Sequence, residues 1–344
     1  LAGTVGVAGV AEAATATYSG HVRNGVKAVD TDGTADGTWS NSQQGSFSIS
    51  ISETTDSGIK ISTGLGLADE GTGSDADSSG LTLTFTDGSK LDVVEAGNAY
   101  ATHLASVPSA TGEQSVGGST TINAPSGLTW ANKSSKTGFE YHSAADALGV
   151  DGLKFGLSAS AGDDGDTTST SSIESAYSVG VSYVTDAGDS TVTIGGGFVN
   201  ADDSNAKTVN SAAESWAVAA TAATGDLTVG VGLGGGTAVH AKTTSAQTEE
   251  IDGAEIMTAG VKYVSGDITF TIGHANGSAA DTTTGGNNPT TDDAYTSTSA
   301  SVSYSIASGV SGIIGYAATD RDQDGSPATA HSGTSWYVGA LVSF

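Results

Sequence analysis

The 344-residue chain contains no cysteine, which excludes a disulfide scaffold, a thiolate metal centre and a cysteine nucleophile. Positive charge is scarce: 11 Lys and Arg stand against 38 Asp and Glu, for a formal charge of -27. A protein that neutralises nucleic-acid phosphates needs clustered basic residues, and none cluster here, so nucleic acid is not an expected partner. Only four prolines occur, and no run of about 18 apolar residues exists that would cross a membrane as a helix. Charged residues make up only 14% of the chain, yet the 37% that are hydrophobic are too many for a disordered acidic polymer. Glycine (50 residues), serine and threonine fill the gap. That composition points to β-structure with many close backbone approaches.

Residues 1–16 read LAGTVGVAGVAEAATA and end in two A-x-A patterns, Ala11-Glu12-Ala13 and Ala14-Thr15-Ala16. The expectation is the tail of a cleaved export signal, or else a flexible alanine-rich arm, ahead of a single β-domain over residues 17–344.

Period-two alternation recurs along the rest. Phe47, Ile49 and Ile51 alternate with serines, and Leu81, Leu83 and Phe85 with Thr82 and Thr84. Tyr177, Val179, Val181 and Tyr183 alternate with Ser178, Gly180 and Ser182, and Ala300, Val302, Tyr304 and Ile306 again with serines. Each predicts a strand with one apolar and one small polar face. Short connections rich in Gly and Asp fall at 54–58, 86–89, 146–152, 185–189, 223–226, 265–267 and 307–309. Long polar ones fall at 29–40, 69–79, 97–137, 162–173, 200–211, 239–254, 276–294 and 320–333. The two kinds alternate strictly, so the fifteen connections predict sixteen strands. The expected fold is all-β: an antiparallel transmembrane β-barrel with short periplasmic turns and long extracellular loops. Strand parity puts Arg23, Lys27, Lys60, Lys90, Lys154 and Lys262 opposite the apolar rows, hence toward a lumen. An acidic surface-layer or adhesive β-protein is the alternative, but it gives no reason for strict alternation of loop length.

The last residues, SWYVGALVSF, place Trp336, Val338, Ala340, Val342 and Phe344 on one face and stop on an aromatic. In this the chain resembles outer-membrane β-barrel proteins, whose final strand typically ends so. The stretches TYSGHVRNGVKAV, FSISISETTDSGIKISTGLGL and SSGLTLTFTDGSKLDVVEAGNA look like strands one to five of the general diffusion porins of alphaproteobacteria. The resemblance implies an outer-membrane homotrimer among lipid and lipopolysaccharide, passing small hydrophilic solutes by diffusion, with no catalysis and no required cofactor. It also implies a third loop folded inward as a constriction, which here would be residues 97–137. Relatives line the inner wall of the first strands with arginines facing acids of that loop. Arg23 matches one such position, whereas Gln44 and Ser46 stand where relatives often carry arginine. With Lys27, Lys60, Lys90 and Asp92 on the wall, and Glu95 and Glu113 as the loop's acids, the expected transverse field is weaker than in relatives.

The remaining acids crowd the long loops, as in Asp30, Asp69, Glu70, Asp163, Asp164, Glu249 and Glu250. A negative outer mouth concentrates cations within a Debye length of roughly 8–10 Å, so mild cation selectivity is expected. Asp320, Asp322 and Asp324 precede Gly325 in a D-x-D-x-D-G pattern suited to Ca2+, although His331 replaces the usual twelfth-position Glu. The six histidines show no H-x-x-x-H spacing. The glycine runs 195–197 and 234–236 lie within strands without a phosphate-loop continuation, and are expected to serve subunit packing or barrel curvature.

Overall fold

A strand with unlike faces is stable where each face meets a different medium, and a closed sheet leaves no backbone edge unpaired. The computed structural model, which describes residues 14–31, 38–69, 74–78, 80–93, 99–110, 138–161, 173–203, 212–241, 248–279, 293–322 and 332–344, has this form. Sixteen antiparallel strands close into a barrel. They are β1 (Thr15–Thr31), β2 (Thr38–Thr54), β3 (Lys60–Asp69), β4 (segments Ser74–Ser78 and Leu81–Thr84), β5 (Lys90–Val93), β6 (Gly138–His142), β7 (Leu153–Ala161) and β8 (Ile173–Ala187). The second half comprises β9 (Ser190–Asp203), β10 (Ala212–Thr224), β11 (Leu227–Ala241), β12 (Thr248–Ser265), β13 (Ile268–Ala279), β14 (Asp293–Ala307), β15 (Val310–Asp322) and β16 (Gly333–Ser343). A short α-helix, α1 (Ala99–His103), follows β5.

Each strand pairs with its chain neighbours, and β1 also pairs with β16, Arg23 lying opposite both Leu341 and Gln44. Both segments of β4 pair with β3, so they count as one strand interrupted at residues 79–80. Gly80 takes a positive φ of 64° there, and its carbonyl accepts Thr63 Oγ1 at 2.7 Å.

The strands reach further than alternation predicts. Ser74–Ser78 pairs with β3 inside the expected 69–79 loop, and Val239 and His240 pair with Glu250 and Glu249 inside the expected 239–254 loop. Backbone pairing beyond the hydrocarbon needs no apolar side chain, so hydropathy underestimates strand length there. The barrel also starts earlier than residue 17, with Thr15 opposite Ser52 and Ala16 opposite Ile51. Residues 1–13 lie outside the described residues.

The faces follow parity. Val22, Val26, Val179, Val181, Ile272 and Val338 are exposed on the outer surface, whereas Arg23, Ser178 and Tyr337 are buried within. Aromatics collect in two outer bands. Trp39, Phe139, Phe198, Trp216 and Trp336 lie toward the long loops, and Tyr18, Tyr183, Tyr263, Phe270, Tyr304 and Phe344 toward the short turns. From Trp336 to Phe344 is roughly 26 Å along the strand at about 3.3 Å per residue, or about 20 Å vertically at the usual tilt. Such paired girdles mark the two water interfaces of a membrane barrel.

Candidate functional site

Residues 99–110 run inside the barrel along the wall from β6 to β13, and glycines on the inner face make room for them. At Gly180 (β8) a Cβ would collide with the Ala99 carbonyl, at Gly195 (β9) with that of His103, and at Gly260 (β12) with that of Pro108. At Gly197 it would stand 2.5 Å from Tyr100 Cβ, at Gly156 2.7 Å from His103 Nε2, and at Gly273 3.0 Å from Ser109 Cα. Only a residue without a side chain permits a second backbone so close. Tyr100, 3% exposed, packs with Val199, Ala217 and Leu104, and this burial pushes its phenol up to about 12. Between the segment and the wall a cavity of about 420 Å³ is lined by Leu104, Val107, Ala217, Ile256 and Thr258.

The inward fold expected of the third loop is therefore present for its described part, while residues 111–137, and with them Glu113, lie outside the described residues, as does Glu95. Gly195 and Gly197, expected to serve subunit packing or curvature, instead receive the loop.

At the start of the loop a polar cluster joins it to the wall. His103 Nδ1 is 3.0 Å from Ser182 Oγ and its Nε2 3.1 Å from His142 Nδ1. His142 Nε2 lies 3.0 Å from Glu140 Oε1 and 4.0 Å from Asp92 Oδ2. Thr102 Oγ1 donates to Glu140 Oε1 at 3.2 Å, and Thr82 Oγ1 donates to Asp92. Burial lowers the His103 pKa, as do the neighbouring His142 and Lys154, while Glu140 opposes them. Among these residues only Asp92 and, by strand parity, Lys154 stand out in the sequence. His103, His142 and Glu140 sit at no recognisable spacing, and only the fold brings them together.

On β1 and β2, the Arg23 guanidinium donates to Gln44 Oε1, and Ser46 Oγ lies 2.8 Å from His21 Nδ1. Arg23 is 5% exposed beside Tyr337, itself packed with Ile313 and Ala317 and covering Gly25. Lys27 follows on the same face, opposite Tyr337 and Ser40. Lys60 and Lys90 each open a strand just after a short turn and flank Thr84 in one rung. Both stand toward the short-turn rim, and Arg23 lies deeper in the wall. At the long-loop end Asp320 is exposed and accepts Ser332 Oγ at 2.5 Å. The Asp322 side chain and Asp324 lie outside the described residues.

A barrel with an apolar, aromatic-banded exterior, a polar interior and a loop folded into the lumen defines a membrane channel of the outer-membrane class. The Gram-negative porin family model matches residues 1–324, and the chain belongs to that family: it is an outer-membrane porin. Solved structures agree in fold. The anion-selective porin from Comamonas acidovorans has a TM-score of 0.67 at 12% identity, covering 96% of this chain and 100% of that one. Salmonella typhi OmpF in complex with daunomycin has a TM-score of 0.67 at 14% identity, covering 96% and 98%. The trimer form of Vibrio cholerae OmpT has a TM-score of 0.59 at 15% identity, covering 97% and 100%. A search of curated proteins finds no match.

Proposed function

We propose that the porin passes small hydrophilic solutes and ions with a mild preference for cations, its width governed by the third loop. The observation that carries this reading is the course of residues 99–110 along the inner wall, held by glycines and by Tyr100. The preference rests on the excess of 38 acidic over 11 basic residues, many of the acids lying in the long connections between strands. Arg23, Lys27, Lys60 and Lys90 oppose it from a wall that also carries Gln44, Ser46 and Asp92, and Glu95 and Glu113 are the acids that the third loop contributes in sequence. The anion-selective relative has the same fold, so side-chain charge rather than architecture sets the sign. Calcium at Asp320, Asp322 and Asp324 belongs to the same proposal for the outer mouth, as do contacts with lipid and lipopolysaccharide.

A homotrimer is the proposed assembly. Asn24, Asn41 and Gln43 are exposed on the outer face of β1 and β2, between the aromatic bands, with Asn24 opposite Gln43. Amides facing hydrocarbon are costly, and a neighbouring copy would cover them. The solved relatives include a trimer.

The test is single-channel recording of the detergent-purified protein in a planar bilayer, with reversal potential under a salt gradient. Openings in threes and a cation-favouring potential are expected. Openings with an anion-favouring potential would overturn the selectivity, and single independent openings would overturn the trimer.

A further inference from the structure

Three ligating side chains converge on the inner wall from adjacent strands: Asp92 of β5, and Glu140 and His142 of β6. Their ligand atoms all lie within 4.8 Å of one another, and the sheet fixes the spacing because Asp92 and Glu140 are register partners. Metal bonds of about 2.0–2.2 Å hold neighbouring donors roughly 3–4 Å apart. The separations of His142 Nε2 from Glu140 and Asp92, 3.0 and 4.0 Å, fall in that range.

Each of the three is also oriented by a further side chain. Thr82 donates to Asp92, Thr102 donates to Glu140, and His103 Nε2 faces His142 Nδ1 at 3.1 Å. An ion on His142 Nε2 leaves Nδ1–H to donate to His103, whose own Nδ1 is turned to Ser182 Oγ. Partners of this kind fix the tautomer and angle of metal ligands. Glu140 is only 5% exposed, unlike the solvated acids of the barrel ends, so the cluster is not a surface acidic patch.

We propose that Asp92, Glu140 and His142 bind one divalent first-row transition-metal ion such as Zn2+. His103 and Thr102 of the third loop act as positioning residues. One imidazole with two carboxylates suits zinc and its neighbours rather than calcium, which prefers six or more oxygens. The two carboxylates carry a charge that one divalent ion cancels, and Lys90, the register partner of His142, discourages a second. Occupancy joins the wall to residues that the loop supplies, so a bound ion stiffens the loop where it enters the lumen. Binding itself does not depend on the channel reading and is measured apart from conduction.

The experiment is a Co2+ and Zn2+ titration of the full-length protein in detergent. Co2+ is followed by its visible d–d absorption, and Zn2+ by calorimetry with calcium present to saturate the exposed acids. The expected result is one site per chain with a nitrogen-ligated Co2+ band that Zn2+ abolishes. His142→Gln and Glu140→Gln should remove the band. His103→Gln should keep it with about 10–100-fold weaker binding, as for other outer-shell changes. Folding of each variant is checked by heat-modifiable migration on gels. Should a wall variant fail to fold, zinc-edge anomalous scattering from crystals of the unmodified protein takes its place. A peak between Asp92, Glu140 and His142 supports the site. A peak only at the outer loops, or a band unchanged in His142→Gln, overturns it.

Discussion

Phe344, the last residue, exchanges two backbone hydrogen bonds with Gly20: Gly20 N–H donates to the Phe344 carbonyl at 3.1 Å and Phe344 N–H to that of Gly20 at 3.0 Å. This pair extends the β1–β16 ladder that closes the barrel to its final residue. The Phe344 ring lies 6.4 Å from Phe47, which stacks in turn on Tyr18 at 6.1 Å.

Gly20→Ala should therefore weaken closure. The new methyl would meet the Ser46 carbonyl and stand 2.7 Å from the Phe344 ring. Ladder backbone cannot yield as a side chain can, so a loss of about 1–3 kcal/mol is expected. The urea midpoint of the protein folded in lipid vesicles reads it.

Substitution of the inner glycines should act on the loop and leave the barrel intact. Gly195→Val and Gly260→Val place side chains where the His103 and Pro108 carbonyls lie. Residues 99–110 are then pushed toward the pore axis, so single-channel conductance falls and current noise rises while heat-modifiable migration is unchanged. Gly312→Val serves as the control, because a Cβ there meets only the Ile306 side chain at 3.7 Å, an ordinary contact, and lies away from the loop.

These two cases also mark how far the sequence could be read. Strand number, the alternating turns and loops, and the lipid-facing row ending at Phe344 were all legible, because a strand between two media must alternate. The inward facing of Arg23 followed from the same parity. The glycine track was not legible: Gly195 looks the same whether it meets a neighbouring subunit or a loop of its own chain. The cluster around His142 was hidden for a similar reason, since His103, Glu140 and Asp92 reach it from separate elements.

Cation preference should depend steeply on salt. At 0.01 M the Debye length is about 30 Å and the acids act across the mouth; at 1 M it is about 3 Å and they do not. The reversal potential should favour cations at low salt and approach the free-diffusion value at high salt. Asp30→Asn with Asp320→Asn should reduce it only at low salt.

Alkaline conditions should loosen the third loop. Tyr100 is held neutral by burial, its pKa raised from 10.0 to about 12. Released from the wall, it ionises near 10, so the undocked state binds fewer protons above that pH. Docking is fully favoured below pH 10 and weakens as pH rises toward about 12. Phenolate absorbance should include a late component that Tyr100→Phe removes, and loop cleavage by protease should rise over the same interval in the unmodified protein alone.

The wall that receives the third loop is built from strands made much later than the loop itself. Ser109 rests against Gly273, a separation of 273 − 109 = 164 residues. Contacts so distant along the chain form only after the intervening strands have paired. By that separation alone, the barrel is expected to close before its channel narrows.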